Sequence, residues 1–207
     1  MDRRTLMIGA AAAILARRTA RGAAGSPGSR ALNALFDAFM KENLDFSPLL
    51  VTSLGLDHGD RARQKSRIDD YSEAGIARQK AITASQLSRL QAFDRQTLGR
   101  SDATSYDVVM YDLRTTDAAN KAFAYGMGGA GQPYMVSQFT GSYQMIPSFL
   151  DTAHTIATQT DCEAYLSRLD AFATVLDQEI EVAHHDMALG VVPVVPRIRA
   201  STSGVKW

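Results

Sequence analysis

The stretch Thr160–Gly190, TDCEAYLSRLDAFATVLDQEIEVAHHDMALG, decides the fold class of this chain. Tyr165, Leu166, Leu169, Phe172, Leu176, Ile180 and Met187 recur at helical spacing, which predicts one long amphipathic helix. Thr160-Asp161-Cys162-Glu163 reads as a capping box, with Thr160 and Glu163 satisfying two backbone donors, and Gly190 is the expected stop.

The same periodicity recurs upstream. Leu32, Leu35, Phe36, Phe39, Met40 and Leu44 give a first helix. Ser47-Pro48 opens a short one that Gly55 ends. Asp57 to Asp70 is polar and reads as an exposed loop. Ser72 caps a helix running to about Phe93, and Ser101 caps another from Asp102 to about Phe123. A short helical turn carries Phe149 and Leu150. The expected class is all-α: a multi-helix array interrupted by one long Gly/aromatic loop, with a short β-pairing allowed inside that loop.

The interruption is Tyr125–Tyr143, YGMGGAGQPYMVSQFTGSY. Three tyrosines, a phenylalanine and two methionines do not suit a solvated linker. Many backbone polar groups in such a segment need partners, so it reads as one wall of a cleft. Tyr134, Gln138, Tyr143 and Gln144 are the polar groups placed to line that cleft, with His154 as a further candidate. Aromatic faces with amide or hydroxyl tips suit a small peptide-like ligand.

Other patterns fail on context. Gly126, Gly128 and Gly131 match the dinucleotide spacing, but the pattern follows a helix rather than a strand, and Pro133 comes next. Glu181 and His184 have the spacing of di-iron bundles, with Asp177 and His185 nearby, yet no second Glu-x-x-His occurs. A metal site at Asp177, Glu181 and His184/His185 is a weaker rival reading. Cys162 lies in a helix's first turn without a catalytic partner. As the one cysteine, it excludes a disulfide framework within the chain.

Lys+Arg and Asp+Glu are both 22 in 207 residues, so the balanced charge gives no nucleic-acid footprint. Beyond residue 30 no apolar run is long enough to span a bilayer. Arg3-Arg4 precede the apolar run Leu6 to Ala16, the pattern of an export signal of the twin-arginine kind. The expected organisation is a signal peptide at 1–25, a helical region at 30–193 and an aberrant, basic, aperiodic tail at 194–207. The expected location is the periplasm or cell envelope, with no membrane span after the signal.

Several ordered pieces resemble the N-terminal portion of the bacterial DUF885 family. They are Leu35-Phe36-Asp37-Ala38-Phe39, Ser47-Pro48 leading to Thr52-Ser53-Leu54-Gly55-Leu56, Ser105-Tyr106-Asp107 and Tyr111-Asp112-Leu113. Tyr125-Gly126-Met127-Gly128-Gly129, Pro133-Tyr134, Val136-Ser137-Gln138, Gly141-Ser142-Tyr143, Pro147-Ser148-Phe149-Leu150 and Gly190-Val191-Val192-Pro193 continue the series. The resemblance implies an incomplete part of a larger zincin-like helical fold, similar to zinc metallopeptidases of the gluzincin type. The family's metal motif, of the His-Glu-x-x-Pro-Gly-His-His kind, is matched nowhere here. No catalytic or zinc residue is therefore carried over, and no cofactor is expected in this chain. The resemblance implies a truncated metallopeptidase-like protein, inactive alone, whose tail is an out-of-frame addition. The alternative is a complete, non-catalytic helical binding protein of the cell envelope.

Overall fold

The structure, a computed structural model, describes residues 26–127, 134–137 and 140–192. Among these residues it is all-helical, as expected, and contains no strand. The signal-like residues 1–25, the tail at 194–207 and Gln138 lie outside the described residues.

Helix α1 spans Pro27–Phe46. Ser26 caps it, accepting from Ser29 N at 3.1 Å, and Pro27 sits at the first turn where its missing N–H costs nothing. Residues 27–29, ahead of the helical region expected from residue 30, are thus helical. Ser47 ends α1 and caps α2, Pro48–Ser53. Its hydroxyl accepts from Leu50 N at 3.1 Å and donates to Asp69 Oδ2 at 2.6 Å. Gly55 follows with φ +66°, a conformation that side chains resist.

The expected loop at 57–70 instead holds a 3-10 helix, Gly59–Ser66. Helix α3, Glu73–Gln91, starts as anticipated from Ser72. Helix α4, Arg100–Ala122, begins at Gly99 rather than Ser101. Helix α5, Ser142–Thr152, is longer than the single turn expected around Phe149 and Leu150.

Helix α6, Gln159–Ala188, is the 30-residue element read from the opening stretch. Its capping box is two residues earlier than expected. Thr158 accepts from Asp161 N at 3.2 Å, and Asp161 Oδ2 accepts from Thr158 N at 2.8 Å. Thr160 and Glu163 take no part, because Asp161 reaches back from the N3 position with the shorter side chain. Gly190, φ +80°, terminates the helix as predicted.

Two apolar cores result. Leu32, Phe39, Leu87, Leu90, Tyr106 and Leu113 fill the space between α1, α3 and α4. Tyr71, Ile76, Met135, Ile146, Leu150, Val175 and Val182 form the second, around α5 and α6. Helix α3 joins them, giving Leu87 and Leu90 to one and Ile76 to the other. Gly75 permits the close approach at its start: a Cβ there would lie 2.2 Å from Asp70 O.

The face of α6 that packs inward differs from the one its apolar pattern suggests. Ala164, Arg168, Val175, Glu179, Val182 and Asp186 are buried. Leu166, Leu169, Ile180 and Met187, expected in the core, are exposed by 59%, 41%, 52% and 56%. The partners that hold the three buried charges build the candidate site.

Candidate functional site

A cleft of about 480 Å³ opens between the end of the Gly-rich segment, α5 and α6. Its floor is polar. Glu179 Oε1 accepts from Ser142 N at 2.8 Å and from Ser142 Oγ at 2.6 Å. Ser142 is the first residue of α5, so the carboxylate also meets the positive end of that helix. The Tyr71 phenol lies beside the Ser142 hydroxyl. Burial first, then the negative charges of Asp69 and Glu179, push its pKa far up, so it stays a neutral O–H donor. Met127, Met135 and Met145 line the cleft as adaptable apolar walls.

The backbone makes this possible at Gly141, whose φ of +128° turns the chain into α5. A Cβ at Gly141 would stand 3.0 Å from the Tyr143 ring, so a side chain there is strained by the backbone conformation and crowded by the ring. The far end of the Gly-rich segment is held in the same manner. Asp186 Oδ2 accepts from Gly126 N at 3.0 Å. Glu179 and Asp186 are one heptad apart on α6, and each anchors one end of the segment by a charge-assisted bond to backbone.

The structure distributes the candidates read from sequence. Gln144 lines the cleft. Tyr143 stands at its rim, 42% exposed, with its hydroxyl donating to Ser137 O at 2.7 Å. Tyr134 lines a separate hollow of about 60 Å³ with Val136, Ala183 and Val191. His154 is buried in another cluster, against Arg168 of α6. Sequence reading missed Tyr71, Ser142, Glu179, Asp186 and Arg168. The available signal was polar residues at 168, 179 and 186, interleaved with Val175 and Val182 at spacings of seven, four, three and four residues.

The Arg168 cluster is built from neutral acceptors. Nε donates to Arg67 O at 2.9 Å, Nη2 to Thr52 Oγ1 at 2.7 Å and to Gln64 O at 3.1 Å. Nη1 donates to His154 Nδ1 at 2.8 Å, and the guanidinium lies 4.9 Å from the Phe149 ring centre. A guanidinium has no acceptor, so His154 Nδ1 must be unprotonated. Its Nε2 then carries the hydrogen and donates to Asp161 O at 3.1 Å. Burial lowers the Arg168 pKa to about 10, with Asp57 and Asp69 opposing the shift.

The resemblance implies zinc for the family, and the residues with ligand chemistry are placed as follows. Asp177, Glu181, His184 and His185 are all exposed on the outer side of α6. Among the described residues no three His, Cys, Asp or Glu side chains stand together as metal ligands. Cys162 is likewise exposed, in the first turn of α6.

Fold and site together define a helical protein with a ligand-sized cleft whose floor is a buried carboxylate. The chain belongs to the DUF885 family, described as bacterial protein of unknown function, which it matches over residues 48–205. That span includes residues 194–205, which the sequence pattern set apart as a tail. The fold is similar to the crystal structure of a candidate lipoprotein from Colwellia psychrerythraea, with a TM-score of 0.67 and 22% identity. The similarity covers 80% of this chain and 29% of that one. No curated protein matches. Among the described residues no helix is long and apolar enough to cross a membrane.

Proposed function

We propose that this chain is the ligand-binding wall of a DUF885 protein of the bacterial cell envelope, and that its cleft takes a peptide-like ligand. One observation carries the reading: a neutral phenol and a buried carboxylate form the floor of a methionine-walled cleft of about 480 Å³. A peptide offers what such a floor pairs with. Its N–H or ammonium group suits the Glu179 carboxylate, its carbonyl suits the Tyr71 hydroxyl, and an apolar side chain suits Met127, Met135 and Met145.

The envelope assignment is supported by Arg3-Arg4 before an apolar run and by the lipoprotein description of the structurally similar Colwellia protein. Hydrolysis of the gluzincin kind, which the resemblance implies for the family, would require zinc ligands beyond the side chains described above. The role proposed for Tyr71, Ser142 and Glu179 is to orient a peptide, not to cleave it.

The test is a titration of short peptides, tri-leucine and tri-alanine, into protein carrying ¹³C-methyl methionine. The Met127, Met135 and Met145 methyl signals shift on binding, while Met40 and Met110 stay still. Glu179→Gln keeps the acceptor for Ser142 but removes the charge, and it weakens binding by about tenfold, the effect of 1.4 kcal/mol. Unmoved cleft methionines at about 10 mM peptide, a concentration that reveals even millimolar affinity, would refute the proposal. So would equal affinity of Glu179→Gln.

A further inference from the structure

The outer face of α6 carries an apolar stripe that is open along most of its length, with its C-terminal end at Ala183 and Met187 lying against Tyr134, Val136 and Val191. Leu166, Leu169, Ala173, Leu176, Ile180, Ala183 and Met187 are separated by three, four, three, four, three and four residues. This is the heptad spacing of a helix-pairing seam, repeated over six intervals. Leu166, Leu169, Ile180 and Met187 are each 41% to 59% exposed. Scattered exposed leucines need no explanation, but a contiguous stripe in one register marks an interaction surface. Most of the polar side chains that face the core, Arg168, Glu179 and Asp186, are already committed to other partners, so α6 is patterned to bury two faces.

Charge selects the occupant. Glu163, Asp170, Asp177 and Glu181 are exposed along the helix, and the one Lys or Arg between Gln159 and Leu189 is the buried Arg168. Asp170 and Asp177 follow Leu169 and Leu176 directly and border the seam. A second copy packed on this stripe would set acidic edge against acidic edge, which is unfavourable. An anionic bilayer would be repelled in the same way. The chemistry that fits is an amphipathic helix with an apolar seam and Lys or Arg along its border. In the Colwellia protein this fold is part of a chain of which the match covers 29%, so the fold occurs alongside further polypeptide.

We infer that the Leu166–Met187 stripe is a docking surface for a basic amphipathic helix of another polypeptide segment. The inference does not depend on the cleft and tests separately from it. The probe is a synthetic 28-residue helix with leucine at both seam positions and lysine or arginine at the borders, titrated into the full 207-residue chain. A control peptide has the same seam with glutamate borders. The basic peptide binds, the Met187 methyl signal shifts, and affinity falls as salt rises. Ile180→Glu weakens binding by about 30-fold or more, as loss of a central interface residue does. Its melting temperature is unchanged because the site is exposed. Leu166→Glu provides a second variant at the other end of the stripe. Four outcomes overturn the inference. The acidic peptide binds equally; neither peptide binds; sedimentation shows a dimer that Ile180→Glu dissociates; or binding appears only after residues 1–25 or 193–207 are removed.

Discussion

Replacing Arg168 by Met tests what holds the second core together. The substitution keeps an unbranched stem of similar volume, so it removes hydrogen bonds and a charge with little change in packing. Four acceptors lose a donor, but not equally. Gln64 O still accepts from Arg67 N at 3.1 Å. The Thr52 hydroxyl can rotate to another partner. Arg67 O and His154 Nδ1 are left without the guanidinium, at about 1–3 kcal/mol each for a buried orphaned group. Loss of the contact with the Phe149 ring adds about 0.5–2 kcal/mol. Against this, the folded state no longer has to desolvate a cation that lacks a directly bonded carboxylate, which returns part of the cost. The net expectation is a destabilisation of about 3 kcal/mol, read as a drop in the urea midpoint at unchanged slope. Arg168→Lys keeps the charge but cannot donate in four directions, and it falls at a similar depth. A midpoint for Arg168→Met within about 0.5 kcal/mol of wild type would show the cluster to be replaceable by apolar packing.

Two further perturbations follow from geometry and charge. Gly75→Ala should destabilise by about 3 kcal/mol despite alanine's better helix propensity, because the new methyl meets backbone at Asp70, and thermal melting measures it. His154 has a pKa lowered by burial and by the charges of Arg168 and Lys65, against the Asp161 carbonyl and Asp57. Its neutral form belongs to the folded state, so its contribution is present above the unfolded value of about 6.5 and is lost as pH falls below it. Unfolding free energies of wild type and His154→Gln, compared from pH 7.5 to 5, should converge toward the acid side; parallel curves would reject this. The difference between the two proteins is the proper readout, since Asp69, whose pKa burial raises, titrates with the opposite sign.

Helix α6 shows how far the fold and site could be read from sequence, and where reading stopped. Its existence, approximate length and stop at Gly190 came from periodicity and a positive-φ glycine, both local properties. Its orientation did not. Periodicity counts apolar residues, and Leu166, Leu169, Leu176, Ile180 and Met187 made a better stripe than the one that packs inward. The inward stripe carries Arg168, Glu179 and Asp186, which any hydrophobicity measure assigns to solvent. Each is buried because a distant backbone group completes it: Arg67 O and Gln64 O for Arg168, Ser142 N for Glu179, Gly126 N for Asp186. Those partners lie 37 to 104 residues away in sequence, beyond any local pattern. The Gly-rich segment was visible as a wall in search of partners, because its backbone groups required them. The partners were not visible, because they are the same charged residues. A buried carboxylate and an unclosed backbone segment are each unfavourable alone, and only their pairing is stable. The candidate site therefore sits where sequence rules fail together: at a polar core face, at the ends of an irregular segment, and at a glycine with φ of +128°. The outer stripe follows from the same division of α6 into two faces. A helix that commits three charges to its inner face and still keeps apolar residues outside fits the two contacts inferred above, of which the described residues supply one.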